Sequence, residues 1–129
     1  MSRYLLDTHA FLWQAAGDPR LSHHAAKTIL EADNELFLSM ASVWELAIKI
    51  SAGRLRLLLD LSTLIHEQLG KNAIRLLHID LQHVLALETL PLVHRDPFDR
   101  LLVAQAMTEG LVLLSGDEAL DGYPVSRQW

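Results

Sequence analysis

The sequence predicts an α/β fold in which helices cover both faces of a parallel β-sheet. Short apolar runs alternate with longer segments of helical spacing along all 129 residues. Runs that are apolar throughout, without a polar residue at every second position, are typical of parallel strands buried on both faces. Because neither an internal repeat nor a change of composition divides the chain, we expect one domain over residues 1–129.

The strand candidates are short and bounded by polar or turn-forming residues. They are residues 4–6, 35–38, 74–77, 111–114 and 124–126. The first is followed directly by Asp7, and the fourth by Ser115, Gly116 and Asp117. Since parallel sheets bind ligands at the carboxyl ends of their strands, we expect Asp7 and Asp117 at the functional edge of the sheet.

The helix candidates have apolar residues three and four positions apart. They are residues 8–16, 22–31, 40–50, 62–70, 81–89 and 97–109, whereas residues 55–61 have no clear period. Ser22 and Ser39 are the expected N-caps of the second and third helices. The clearest helix start is Asp96, because it precedes Pro97 at the first helical position and Asp99 in the first turn.

Charge and composition restrict the possible functions. Sixteen acidic residues against eleven lysines and arginines give a net charge of −5, so binding to nucleic acid requires a local basic patch or a bound cation. The absence of cysteine excludes disulfides, thiolate zinc sites and cysteine nucleophiles. With neither a signal peptide nor an apolar run of about 20 residues, we expect a cytoplasmic protein without membrane association.

Five acidic residues follow a strand or lie in the helix that comes after one. They are Asp7, Glu45, Asp96, Asp99 and Asp117. Each also has a structural interpretation. Asp7, Asp96 and Asp117 suit N-caps, Asp99 suits the helix dipole, and Glu45 suits an ion pair with Lys49 one turn later. As a group they favour a metal site, because clustered carboxylates repel one another unless a cation such as Mg²⁺ or Mn²⁺ joins them.

Four segments of the chain together form a recognisable pattern. They read YLLDTH at 4–9, SMASVWELAIK at 39–49, HRDPFDRLLVAQA at 94–106 and LLSGD at 113–117. In these segments the chain closely resembles PIN-domain ribonucleases, specifically the VapC-type toxins of bacterial toxin–antitoxin pairs. Order and spacing agree over nearly the whole chain. The resemblance implies a three-layer α/β/α sandwich around a five-stranded parallel sheet.

The resemblance also implies a metal-dependent endoribonuclease. It assigns catalysis and the binding of Mg²⁺ or Mn²⁺ to Asp7, Glu45, Asp99 and Asp117. Asp96 belongs to the same segment and is a less firmly assigned metal ligand. Ser115 stands where many relatives have threonine, and its hydroxyl is expected to orient a water or the Asp117 carboxylate.

Partners follow from the same resemblance. The expected substrate is RNA, either tRNA or another structured RNA with exposed single-stranded loops. Arg95 and Arg100 flank the acids and are candidate RNA contacts, and Lys49, Arg54 and Arg56 form a second candidate track. A cognate antitoxin and a second copy of the chain are the expected protein partners.

Two other functions remain open from the sequence. A PIN-like binding module without catalysis would need the acids only as helix caps. A haloacid-dehalogenase-like phosphatase also begins with a strand and an aspartate, but it needs a second aspartate where this chain has His9. The lack of an H-E-x-x-H motif argues against a histidine zinc site. Trp13, Trp44 and Trp129 are interpreted as core or interface residues.

Overall fold

The computed structural model describes residues 2–129 and contains five strands and six α-helices in that part of the chain. The strands are β1 (Arg3–Leu6), β2 (Glu35–Ser39), β3 (Ile74–Leu77), β4 (Val112–Leu114) and β5 (Arg127–Gln128). The helices are α1 (Thr8–Ala16), α2 (His23–Leu30), α3 (Met40–Ser51), α4 (Leu61–Lys71), α5 (Leu81–Ala86) and α6 (Pro97–Glu109), with a 3₁₀ turn at Glu118–Gly122. All strand pairs are parallel, in the order β3-β2-β1-β4-β5. The predicted α/β fold around a five-stranded parallel sheet is confirmed.

The order of the strands reverses beside β1, at the centre of the sheet. The chain first builds β2 and β3 on one side of β1 and then returns to place β4 and β5 on the other side. Just beyond the end of β1, the backbone N–H of Asp7 donates a hydrogen bond to the carbonyl oxygen of Leu114, at 3.1 Å. The carboxyl ends of β1 and β4 therefore meet at the point where ligands bind in open parallel sheets.

Neighbouring residues of the central strands are buried in opposite faces of the sheet. Leu6 and Leu114 belong to an apolar cluster completed by residues of α1, α2, α3 and α4, including Phe11. Leu5 and Leu113 belong to a second cluster, built largely by α6. All four leucines are fully buried, and burying such a side chain contributes about 1.5–3 kcal/mol relative to leaving it exposed. These two clusters hold the central strands, and thus the carboxyl edge of the sheet, in place.

The predicted caps are confirmed at three helix starts. The hydroxyl of Ser22 accepts a hydrogen bond from the N–H of Ala25, and that of Ser39 from the N–H of Ala41. Asp96 caps α6, as the following proline predicts. Within residues 2–129, no helix has both the length and the apolar character needed to cross a bilayer.

Two elements lie elsewhere than the sequence predicts. The last strand is Arg127–Gln128 instead of 124–126, because its position is determined by pairing with Leu113 and Leu114 of β4. Helix α5 ends at Ala86 instead of residue 89. Beyond Ala86 the backbone tightens into turns, in which the N–H groups of Leu87 and Glu88 donate to carbonyl oxygens only three residues earlier.

Candidate functional site

Asp7 links the end of β1 to the start of α1. Its Oδ1 atom accepts a hydrogen bond from the N–H of Ala10 at 2.7 Å, which makes it the N-cap of the helix. The residue is only 8% exposed. Burial raises the pKa of the Asp7 carboxyl, although a hydrogen bond from the Ser115 side chain opposes this shift. The buried carboxylate thus keeps one oxygen, Oδ2, that takes no part in capping.

Glu45 enters the same region from α3 and is also buried. Its Oε1 atom accepts a hydrogen bond from the Thr8 hydroxyl at 2.8 Å, and its Oε2 atom lies 2.9 Å from Nζ of Lys49. The Thr8 oxygen is also 2.9 Å from the Ser42 hydroxyl. Since Thr8 has one hydroxyl proton and donates it to Glu45, Ser42 donates to Thr8. The predicted ion pair with Lys49 is confirmed, and Glu45 is held rigidly by its neighbours.

Asp96 and Asp99 come from the first turn of α6 and differ in their contacts. Oδ1 of Asp96 accepts hydrogen bonds from the N–H groups of Phe98 and Asp99, at 2.8 and 3.2 Å. Asp99 caps no helix within residues 2–129. Burial raises the pKa of its carboxyl to about 7, with Asp96 as the next cause. A smaller increase comes from Glu45 and Asp7, so these carboxylates lie within electrostatic range of Asp99.

Asp117 follows β4 and faces the start of α6. Its Oδ1 atom accepts from the N–H of Ala119 at 3.0 Å, and its own N–H donates to the Ser115 hydroxyl oxygen at 3.1 Å. Its Oδ2 atom lies 3.2 Å from Nε2 of His94. Ser115 is fully buried and contacts both acids, since it also hydrogen-bonds Asp7. The hydroxyl therefore couples the ends of β1 and β4.

His94 is a member of this site that the sequence analysis did not single out. Its Nε2 atom lies 3.6 Å from Oδ2 of Asp99, besides the contact with Asp117. Its Nδ1 atom accepts a hydrogen bond from the backbone N–H of Asp96 at 3.1 Å. Because Nδ1 is the acceptor, the hydrogen-bond network assigns the proton of the neutral ring to Nε2. The only sequence signal was the position of His94 at the start of the 94–106 segment.

The residues present fit a hard divalent cation. One potential ligand atom from each of His94, Asp99 and Asp117 lies within 4.8 Å of the others. In the tautomer assigned above, His94 donates from Nε2 and has no lone pair to offer there, so the available ligands are carboxylate oxygens. Mg²⁺ and Mn²⁺ prefer such ligands. The helix-capping hydrogen bonds do not prevent metal binding, because the caps at Asp7 and Asp117 each use only Oδ1.

The candidate RNA-binding residues have different surroundings. Arg95 is exposed, as are Arg54 and Arg56 beyond α3. Arg100 instead donates hydrogen bonds to the carbonyl oxygens of Leu90 and Pro91, at 3.3 and 2.8 Å. These hydrogen bonds stabilise the loop that precedes α6.

Comparison with known proteins gives one family and several similar folds. The family model described as PIN domain matches residues 4–125. No curated protein sequence matches the chain.

Three solved structures resemble the whole fold at low sequence identity. A chain in the structure of VapBC2 from Rickettsia felis, bound to a DNA fragment from its promoter, has a TM-score of 0.75 at 14% identity, with 98% of this chain and 97% of that one covered. VapBC-1 from nontypeable Haemophilus influenzae has a TM-score of 0.62 at 17% identity, with 98% of this chain and 96% of that one covered. FitAcB from Neisseria gonorrhoeae has a TM-score of 0.65 at 18% identity, with 96% of this chain and 95% of that one covered.

Proposed function

The chain belongs to the PIN domain family, and from this membership we propose that it is a metal-dependent endoribonuclease of the VapC toxin type. The observation that carries the proposal is that Asp99 of α6 and Asp117 after β4 bring potential ligand atoms within 4.8 Å of each other, with Asp7 within electrostatic range of both. Burial is the main cause of the raised pKa of about 7 at Asp99, and repulsion by Asp96, Glu45 and Asp7 adds to it, so a cation beside this carboxylate would be favourable. Such a cluster supports metal binding rather than a purely structural role.

In this proposal, Asp7, Asp99 and Asp117 hold Mg²⁺ or Mn²⁺, with Glu45 as the fourth acid and Asp96 as a further candidate ligand. The bound ion supplies Lewis-acid activation of water and neutralises charge that develops on the RNA phosphate. Thr8 and Lys49 hold Glu45 in position through the bonds at 2.8 and 2.9 Å. Fixed neighbours of this kind orient ligands, and their loss typically weakens metal sites.

The proposed substrate is RNA with accessible single-stranded loops, such as tRNA. Unpaired segments can enter a recessed site that a stiff duplex cannot reach. We propose that exposed Arg95 contacts the RNA backbone, whereas the loop contacts of Arg100 leave it a weaker candidate. Such a protein would act in the cytoplasm.

A cognate antitoxin and a second copy of the chain are the proposed protein partners. The solved structures of VapBC and FitAcB share the fold, which supports the antitoxin as a partner. A segment of that antitoxin would enter or cover the acidic cleft.

A binding module without catalysis is the second candidate. It is favoured by one observation, that Asp7, Asp96 and Asp117 all cap helices. The phosphatase alternative lacks support, because His9 stands where its second aspartate would be.

An RNA cleavage assay tests the proposal directly. The intact chain is incubated with tRNA in Mg²⁺, in Mn²⁺ and in chelator, alongside the Asp99→Asn variant. We expect cleavage only by the intact chain with metal present. Cleavage that persists in chelator would contradict metal dependence, and RNA binding without cleavage under every condition would favour the binding module.

A further inference from the structure

A cleft of about 490 Å³ opens beside the acidic cluster. Its lining combines the acids Asp7 and Asp117 with the aromatic residues His9, Trp13 and Trp129. The volume falls in the range of roughly 300–1,000 Å³ that is usual for small-ligand sites. An aromatic surface is thus placed directly next to the carboxylates.

The aromatic side chains of the cleft contact one another. His9 and Trp13 lie one turn apart on α1, and their rings stack with centroids 5.3 Å apart and planes inclined by 26°. Trp129 meets Trp13 edge to face, with centroids 5.8 Å apart. The guanidinium carbon of Arg20 lies 4.8 Å from the centroid of Trp13, and the guanidinium is paired with the Asp18 carboxylate at 2.8 Å. Because Asp18 offsets the charge of Arg20, the cleft is characterised by its aromatic rings beside the acids.

Gly116 brings Trp129 close to the acids. A Cβ atom at this position would lie 2.9 Å from Cε2 of the Trp129 indole, a distance that would force the ring away. The glycine allows the indole to lie against the loop that carries Asp117. Trp129 also packs in part against the apolar cluster on one face of the sheet, which fixes the ring while leaving it half-buried.

We propose that this cleft binds a nucleobase of single-stranded RNA, next to the phosphate held at the acidic cluster. The proposal rests on the function proposed above and adds a base-binding subsite to it. Trp129 and His9 supply aromatic surface for stacking, which accepts any base because every base has a π face. Removal of the Trp129 indole should therefore weaken the binding of an unpaired base and leave the acidic cluster in place.

The test measures binding in an Asp99→Asn background, since this variant blocks cleavage, removes one repulsive charge and leaves the side chains that line the cleft unchanged. Labelled single-stranded octamers are compared with octamers that carry an abasic site at each position in turn. For Trp129→Ala we expect a loss of affinity of about tenfold, typical of one stacked base. Trp129→Phe should retain most of the affinity. Trp44→Ala is the control, because Trp44 is 56% exposed and packs on Phe98 outside the cleft.

Abasic octamers probe the cleft without altering its side chains. One abasic position should weaken binding to the parent protein about as much as Trp129→Ala does, and should cause no further loss in Trp129→Ala itself. Equal affinity for abasic and complete RNA, or an equal loss in Trp44→Ala, would overturn the subsite. If the intact chain still cleaves RNA in that case, the proposed function stands alone. If binding depends on the base but the intact chain does not cleave, the subsite stands and the nuclease proposal fails.

Discussion

The Nε2 atom of His94 lies 3.2 Å from Oδ2 of Asp117 and so connects the start of α6 with the end of β4. Because Nδ1 of the same ring accepts from the backbone N–H of Asp96, the hydrogen atom on Nε2 points at the acids. His94 is thus a positioning residue that orients Asp117 and partly offsets the negative charge around it. Its proximity lowers the pKa of Asp99, against the increase caused by burial.

His94→Gln should therefore raise the pKa of the Asp99 carboxyl above its value of about 7. The acidic limb of the pH–rate profile for RNA cleavage should move to higher pH, because the carboxylate must be ionised to hold the ion. Carbon-13 NMR titration of Asp99 in chelator measures the same shift without catalysis. His66→Gln serves as the control, because that histidine hydrogen-bonds within α4. An unchanged Asp99 titration in His94→Gln would contradict the electrostatic role of His94.

The two aspartates of the first turn of α6 should respond differently to replacement by asparagine. Asp99→Asn is expected to reduce RNA cleavage by more than about 100-fold, since even indirect partners of metal ligands cost about 10–100-fold. Asp96→Asn should be mild, because asparagine caps helices about as well as aspartate does. Cleavage rates at saturating Mn²⁺ and circular dichroism of both variants check this. Equal cleavage rates for the two variants would contradict the assignment of Asp99 as a metal ligand and Asp96 as mainly a helix cap.

Production of the intact chain alone should arrest bacterial growth, and production of Asp7→Asn should not. The reason is that Asp7 contributes a buried carboxylate to the proposed catalytic site, whereas asparagine keeps an oxygen for the helix cap. Growth curves after induction are compared at matched levels of soluble protein. Normal growth with abundant intact protein would argue against a toxin.

Ser115→Ala should weaken metal binding. Its hydroxyl lowers the pKa of Asp7 and accepts a hydrogen bond from the N–H of Asp117, so its loss makes the Asp7 carboxylate harder to ionise and frees the Asp117 loop. We expect the Mn²⁺ concentration for half-maximal cleavage to rise by about tenfold or more. The exposed Ser126→Ala is the control. The same Mn²⁺ dependence in all three proteins would exclude a role for Ser115.

Local sequence signals were sufficient where structure depends on neighbours in the chain. The start of α6 was predicted from Asp96 and Pro97, because capping and a fixed proline backbone act over a few residues. The position of β5 was not, since Arg127–Gln128 is a two-residue strand whose place depends on pairing with β4. Strands this short carry almost no periodicity of their own.

The sequence indicates where the acids lie in the fold, but not which residues they contact. The carboxylates after β1 and β4 meet because of a general property of parallel sheets. The contacts of His94 with Asp117 and of Trp13 with Trp129 join distant parts of the chain, and no local pattern specifies them. Arg100 illustrates the same limit. Its charge predicts an RNA contact, whereas the returning loop at Leu90 and Pro91 occupies its guanidinium.

Melting experiments test the cost of the carboxylate cluster. The pKa of Asp99 rises from its usual 3.8 to about 7 in the folded protein. Its stabilising contribution is thus complete below about pH 3.8 and is lost as the pH rises through about 7. Metal-free protein at neutral pH should melt at a lower temperature than Asp99→Asn, and this difference should shrink as the pH falls toward 4.

Excess Mn²⁺ should stabilise the intact chain by about 2.7 kcal/mol at 100 times the dissociation constant, with little effect on the variant. Thermal melts of both proteins in chelator and in Mn²⁺, from pH 4 to pH 8, measure these differences. If Asp99→Asn instead melts below the intact chain in chelator at neutral pH, the carboxylate stabilises the fold and the cluster is structural.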